Sequence, residues 1–522
     1  MAEVPDPDRG PASPNTVFLD ITLSLLHGPR LPVGILRVEH DIARRFLARP
    51  DIDLRFVTFD RTARAYRAAT GPETLMMADI LSGAFARARP AATMAGIDLL
   101  EDAHVLRAAR LGLASAAALF GGIRRIAMRV SRSPHRAVAA RAAGFAARWW
   151  PQPAPAEHCR PMARLLRPVL RLGFVGAVRL AHLLLIALAL LEGWLARGAT
   201  LLRHRRVTAP PADPRSPISQ DLPPDAVLIM AGNPWDWLDF DHLDRMVRQR
   251  GLRVIAVIYD VIAVDMPWVT PGTPDIYHRF FLEMGHLART IVTISTYTAD
   301  RYRAAIAEPN DLDPEISPCL LPAALADGDI GAPMAVPMLE QCRFVMYVST
   351  IESRKNHRLL IEIWERLRQE LPPDVLPTLV FVGQWAWGTS HERQMVERNW
   401  RLQPHLKVLS GVGDAELAWL YRHALFTVFP SHAEGFGLGA AESLALGTPC
   451  LISDCPALME ATDGLMPAID PLDFAAWHAA ISRLLTKPEE LAALRTRVGR
   501  FRRIPSDAFA EHLARVAEKA AA

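Results

Sequence analysis

The chain has 522 residues, 50% of them hydrophobic and 22% charged, with a net charge of +3. That length exceeds one ordinary core, and the composition describes a folded globular protein and not a disordered one, so two large domains with room for an insertion are the first expectation. Its five cysteines, Cys159, Cys319, Cys342, Cys450 and Cys455, form neither a CxxC pair nor a dense framework, which predicts reduced thiols in a cytoplasmic protein.

The acidic, proline-rich start MAEVPDPDRGPASPN predicts a loose, disordered tail over 1–15, with neither a secretory signal nor a membrane anchor. From Thr16, a strand, a glycine-containing loop and a helix lead to a second strand in DLRFVTFD (Asp53–Asp60). After a long interruption the alternation resumes with DAVLIMAG, a helix around Phe240 to Gln249, the buried strand RVIAVIYD (Arg253–Asp260), a helix from about Ile276 to Ala288, and TIVTIS. Such β and α alternation predicts a parallel α/β domain over 16–330. Small residues and prolines between Pro322 and Pro337 read as an interdomain linker.

The interruption, a helical insertion over about 71–214, carries most of the charge asymmetry. Between Glu101 and Arg206 there are 18 arginines against 4 acids, an excess of 14, which leaves 3 − 14 = −11 for the rest of the chain. Within it, residues 162–206 are the most apolar stretch of the chain, but the uncharged run Leu180 to Leu191 has 12 residues, short of the roughly 20 that span a bilayer. Arg164, Arg167, Arg171, Arg179, His182 and Arg197 share about a third of a helical wheel, with Trp149, Trp150 and Trp194 nearby. That pattern predicts a helix lying in the interface of an anionic membrane; the alternative is an insertion packed on the domain's own core. No nucleic-acid partner is expected.

A second α/β series opens at RFVMYV (Arg343–Val348) and defines a domain over 340–505, closed by a helix over 506–522 that is free to cross back to the first domain. Its first loop, STIESRKNH (Ser349–His357), sets Arg354 and Lys355 at the expected start of a helix, where cations oppose the macrodipole by a few tenths of a kcal/mol or more. An anion such as a diphosphate between them would reverse the sign; the alternative is a solvated pair offset by Glu352. Further on, LFTVFP reads as a strand buried on both faces, and SHAEGFGLGAAESLALGTPCLISD follows it as glycine loop, helix and strand. Gly435, Gly437 and Gly439 let backbone N–H groups approach a ligand, beside a helix N-terminus that attracts anions. Glu434 and Glu442 offer paired acceptor oxygens to the hydroxyls of a sugar or ribose, unless they are a plain turn acid and a helix N-terminal charge.

EGFGLGAAE resembles the E-x7-E motif of retaining glycosyltransferases of the GT-B fold, family 4, a group that includes bacterial mannosyltransferases. STIESRKNH is similar to that family's G-T-x-x-x-R-K-N loop, with Ser349 where glycine is usual. The likeness is strong from about Arg343 to Pro471 and weaker in LPVGILRVEHDIA (Leu31–Ala43) and IYDVIAVDMP (Ile258–Pro267), which resemble segments of polysaccharide-assembly members. The β/α alternation and the resemblance agree on an α/β protein of the GT-B fold, two Rossmann-like, doubly wound domains facing a cleft; the basic, apolar helical insertion read from the residues lies in the first and has no counterpart in the family. The resemblance further implies transfer of a sugar, mannose being one candidate, from a GDP- or UDP-sugar to a glycan or lipid-linked acceptor with retention of configuration; the basic insertion adds the expectation of a cytoplasmic protein peripheral to the inner membrane. Arg354 and Lys355 would neutralise the departing diphosphate. Glu434, with Gly435, Phe436, Gly437 and Leu438, would hold the transferred sugar, Glu442 the ribose, and the loop around Val412 the base. Gly34, Asp260 and His27 are the acceptor-side candidates, although Tyr259 stands where many members have a histidine. No cofactor or metal is expected, since the Asp236, Asp239 and Asp241 cluster reads as a loop entering a helix. A soluble small-molecule acceptor and a non-catalytic sugar-nucleotide or glycan-binding protein are the alternatives.

Overall fold

The computed structural model of the protein describes residues 15–28, 34–82 and 222–522, apart from 233, 236, 271, 273, 308–311, 324 and 326–332. They all belong to one of the chain's two units, the one formed by 1–95 and 217–522. The tail over 1–14, Asp236, half of the linker and the interfacial helix expected over 162–206 lie outside the described residues.

In chain order the first seven strands are β1 (Thr16–Asp20), β2 (Asp53–Asp60), β3 (Ala65–Ala68), β4 (Val227–Met230), β5 (Arg253–Ile258), β6 (Ala288–Thr293) and β7 (Glu315–Pro318). They form one sheet in the order β3-β2-β1-β4-β5-β6-β7, parallel except where β3 returns against β2. The second series is β8 (Phe344–Val348), β9 (Thr378–Val382), β10 (Leu406–Leu409), β11 (Thr427–Phe429), β12 (Cys450–Ser453) and β13 (Ala468–Ile469). These make a parallel sheet in the order β10-β9-β8-β11-β12-β13. In both sheets the strand order reverses beside the first strand, between β1 and β4 and between β8 and β11, and ligands of doubly wound folds collect at such switch points. The two doubly wound sheets give the GT-B architecture expected from the sequence.

Central strands are covered by helices on both faces, which is why VLIM and CLIS are buried at every position. The helix Phe240–Arg250 starts where the sequence cluster suggested: Asp239 accepts the His242 N–H at 3.0 Å, and Gly251 ends the helix in the left-handed region at φ 68°. One boundary needs correction. The insertion does not begin at 71, because Gly71–Leu81 is a helix of the first domain, started by a Thr70–Glu73 capping box and anchored by Met77, which is fully buried in the first core. The helical close also breaks into three helices, Phe474–Thr486, Pro488–Val498 and Ala508–Ala521.

The last of these packs on the first sheet. Phe509, Leu513, Val516, Ala517 and Ala520 enter a core that also holds Ile42, Phe46, Ile229 and Ile255. Each large side chain so buried contributes on the order of 1.5–3 kcal/mol, and the Arg253 guanidinium fixes the helix end by donating to the Ala521 carbonyl at 2.5 Å. Phe436, Ala441 and Ala461 of the second domain join the same core, so the two domains share apolar surface near the cleft. No helix among the described residues is long and apolar enough to cross a membrane.

Candidate active site

The loop after β8 carries two of the cations singled out from the sequence. Ser353–Lys355 form a single 3-10 turn, Asn356 takes a left-handed conformation at φ 56°, and only then does the helix His357–Glu370 begin. Arg354 and Lys355 therefore stand one tight turn ahead of the helix. Asn356 donates to the Pro471 carbonyl at 2.9 Å, and the Tyr347 hydroxyl donates to the Lys355 carbonyl at 2.9 Å, which fixes the turn from both sides. The His357 ring stacks on Tyr347 at 4.5 Å between centroids; burial and the nearby Lys355 keep it neutral, its pKa down at about 3.

Across the switch point, the loop after β11 brings Glu434 onto these cations. Lys355 Nζ lies 2.6 and 2.7 Å from the two Glu434 oxygens, Arg354 Nη1 lies 3.3 Å from Oε2 and 2.9 Å from the Ala433 carbonyl, and Ser431 donates to Oε1 at 2.7 Å. Arg354 also holds Glu352 at 2.6 Å. Burial opposes ionisation of Glu434, but Lys355 and Arg354 outweigh it and hold the carboxylate at about 2. The expected sugar-binding acid and the expected diphosphate cations are thus one buried cluster, charged and mutually satisfied.

The glycine loop has a second task. A Cβ at Gly435 would sit 2.0 Å from the Tyr259 carbonyl oxygen, and the Gly435 carbonyl accepts from Ser295 Oγ at 2.5 Å and Thr298 Oγ1 at 2.9 Å, so this glycine clamps the domains together. The Phe436 side chain is buried in the shared core, Gly437 turns the chain at φ 109°, and Leu438 opens the helix Leu438–Ala445. Glu460 tightens the same junction by accepting the N–H groups of Thr296 and Tyr297 at 2.8 and 3.1 Å.

Glu442, 2% exposed, accepts the Tyr421 hydroxyl at 3.3 Å and faces Arg37 of the first domain, also at 3.3 Å. Arg37 reaches Asp414 as well, at 3.6 Å. Burial pushes Glu442 up to about 7 against the pull of Arg37, with Asp414 adding to the rise. Val412 is half-buried beside the core under β8 and β9, next to Gly413, whose N–H donates to Glu416 at 2.9 Å at the start of the helix Asp414–His423. Arg37 lies in the segment Leu31–Ala43 and carries no expected role from the sequence. The signal was there: a cation in the first turn of the helix Ile35–Leu47, the same anomaly that singled out Arg354 and Lys355.

Glu434 also borders a cavity of about 330 Å³ between the domains. Its walls include Asp260, Asp265, Tyr297 and Arg301 of the first domain and His432 of the second. Of the acceptor-side candidates, the structure brings Asp260 to Glu434, while neither Gly34 nor His27 is among the lining residues. Gly34, at φ 52° and ψ −121°, instead starts the helix that presents Arg37, and His27 ends the helix Thr22–His27. Tyr259 points away, donating to the Ala231 carbonyl at 2.7 Å. Asp265, Arg301 and Tyr297 were missed because nothing in their spacing ties them to Glu434. No cluster of three or more metal-ligating side chains occurs among the described residues.

Residues 337–499, which hold both glutamates and both cations, match the family model of glycosyl transferases group 1. The chain is 32% identical over 142 residues to O-antigen chain mannosyltransferase B of Escherichia coli, covering 27% of this chain and 36% of that protein. It is 23% identical over 227 residues to O-antigen chain mannosyltransferase RfbU of Salmonella typhimurium, covering 43% and 60%. With D-inositol 3-phosphate glycosyltransferase of Thermobispora bispora it shares 43% over 83 residues, 15% and 19% of the two chains. These likenesses span less than two thirds of each relative's own length. Over residues 337–499 the chain is thus similar to glycosyl transferases group 1.

Proposed function

We propose that the protein is a retaining glycosyltransferase, moving a hexose from a nucleoside diphosphate sugar to a glycan or lipid-linked acceptor, with GDP-mannose the first donor to test. The observation that carries this reading is the Glu434 cluster at the second switch point: two cations and a helix N-terminus for a diphosphate, joined to a carboxylate that stays ionised for sugar hydroxyls. On donor binding, Lys355 and Arg354 turn from Glu434 to the phosphates and free its oxygens for the sugar. Glu442 takes the ribose hydroxyls, and Arg37 gives way to them. The anomeric C–O bond breaks with its electron pair leaving on the phosphate oxygen. The acceptor oxygen bonds to the anomeric carbon from the same face and passes its proton to that phosphate oxygen, which needs no protein nucleophile. The mannosyltransferase names of two relatives favour a mannosyl donor.

A soluble, phosphorylated acceptor is the second reading, prompted by Arg301 in the cavity wall and by a relative named for D-inositol 3-phosphate. The experiment for the first reading is a sugar-nucleotide panel read by thermal shift and by release of nucleoside diphosphate. A midpoint rise with one donor and slow hydrolysis of it are expected. No response to any nucleoside diphosphate or its sugars would sink the assignment.

A further inference from the structure

The charge around the cavity speaks to what its other occupant can be. Asp260 and Asp265 line it from the first domain and Glu434 from the second, against one lining cation, Arg301. Arg301 is committed: its Nε donates to Asp265 Oδ2 at 2.8 Å, and its Nη2 donates to Oδ1 of the same carboxylate. A bidentate pair of this kind offsets the guanidinium's charge and takes two of its five N–H donors. The cations behind Glu434 are committed as well, to Glu434 and Glu352 in this state and, on the reading above, to the donor phosphates in the next. His432 adds no positive charge near neutral pH, because burial lowers its pKa despite Asp470. Asp260 uses Oδ1 to accept the Ile262 N–H at 3.0 Å, and its Oδ2 has no hydrogen bond among the described residues.

We infer that the end of the acceptor that enters this cavity is an uncharged sugar or polyol, and that a phosphate or carboxylate next to the reacting hydroxyl is rejected. The inference rests on the transferase reading and narrows its acceptor. Hydroxyl groups can donate to Asp260 and Glu434, whereas an anion would face three carboxylates, Asp260, Asp265 and Glu434, and the cations beside them are already paired with Asp265 and Glu434. The Asp265–Arg301 pair is the selective element, since it masks the group that would otherwise bind phosphate. This decides between the two acceptor readings: a lipid-linked glycan can present a neutral terminal sugar with its phosphate far off, while a small phosphosugar cannot.

The test uses the full chain saturated with nucleoside diphosphate and compares binding of methyl α-mannoside with that of mannose 6-phosphate by calorimetry at low and high salt. The neutral sugar is expected to bind at least tenfold more tightly at low salt, with the gap narrowing as salt is added. Asp265→Asn, which frees Arg301, should narrow or reverse the preference, and Arg301→Gln should widen it. General damage to the fold would weaken both ligands together and would not produce opposite changes. Equal binding of the two sugars, including none by either, or a preference for the phosphate in the unaltered protein, overturns the inference. So does an unchanged ratio in Asp265→Asn. Nucleoside diphosphate binding that survives such a result leaves the transferase reading standing, and its absence from the outset would remove that reading first.

Discussion

The two sheets share one strand order around their switch points, yet each fills that point differently. In the first, between β1 and β4, Glu39 is completely buried against Gly232, accepts the Ser24 hydroxyl and forms no ion pair among the described residues. Burial pushes it up to about 8, so it is a neutral acid at physiological pH, and burial likewise lowers its neighbour His40 to about 4. In the second, between β8 and β11, Glu434 is nearly as buried but stands on Lys355 and Arg354, and it is held at about 2. A buried carboxylate keeps its charge only where cations are built in beside it. The first switch point is a plug and the second a charged site, and the difference lies in two side chains on the loop after β8.

Substitutions can break this contrast. The largest effect is expected from Lys355→Ala: loss of a fixed charge at the leaving group should lower kcat/KM for the preferred donor by about 10²–10³, and steady-state kinetics that match the unaltered enzyme would remove Lys355 from the chemistry. Next is Gly435→Ala, whose methyl group must displace the Tyr259 carbonyl. It should cost about 1–3 kcal/mol of stability and part of the turnover, seen as a lower urea midpoint; an unshifted midpoint would mean the domains are not clamped there.

Glu442 tests the intermediate case, a buried carboxylate whose cation comes from the opposite domain. Because its pKa lies at about 7, nucleotide affinity should weaken as pH falls below that value and Glu442 takes up a proton. Glu442→Gln should weaken Kd about tenfold, on the order of 1.4 kcal/mol, and flatten the profile. A pH-independent Kd in the unaltered protein between pH 6 and 8 would contradict the ribose role.

The smallest effect at neutral pH is expected from Glu39→Gln, which replaces a neutral acid by a neutral amide. Since the folded pKa lies above the usual 4.5, the stability Glu39 contributes is complete below 4.5 and is lost as pH rises to about 8. The substitution should therefore make the thermal midpoint less sensitive to pH between 5 and 8. Glu434 has the opposite sign: its contribution is complete above 4.5 and is lost as pH falls towards 2. Parallel midpoint profiles for Glu39→Gln and the unaltered protein would erase the contrast.

The parallel strands were legible because burial on both faces makes them continuous apolar runs, as in RVIAVI and TLVFV. The edge strands β3, β7 and β13 were not: AYRA, EISP and AI are short or polar, and each has one neighbour in its sheet. Half of the site was legible for a related reason. Glu434, Arg354 and Lys355 lie in loops at strand ends of one sheet and Glu442 in the helix that follows one of those loops, so local chemistry marks them. Arg37 meets Glu442, and the Asp265–Arg301 pair of the first domain comes to Glu434, only because the domains face each other, and no spacing along the chain records those meetings.

The helix Ala508–Ala521 sets an order of events for the growing chain. The first sheet leaves the ribosome long before the residues that cover its core, since Phe509, Leu513 and Val516 are made after the whole of the second domain. Folding during synthesis normally proceeds domain by domain from the N-terminus, but here the first domain must wait with Ile42, Phe46 and Ile255 incompletely covered until the second has been translated. A chain cut after the second domain's last strand would keep the residues of the Glu434 cluster, yet it would leave the first domain with an open apolar face.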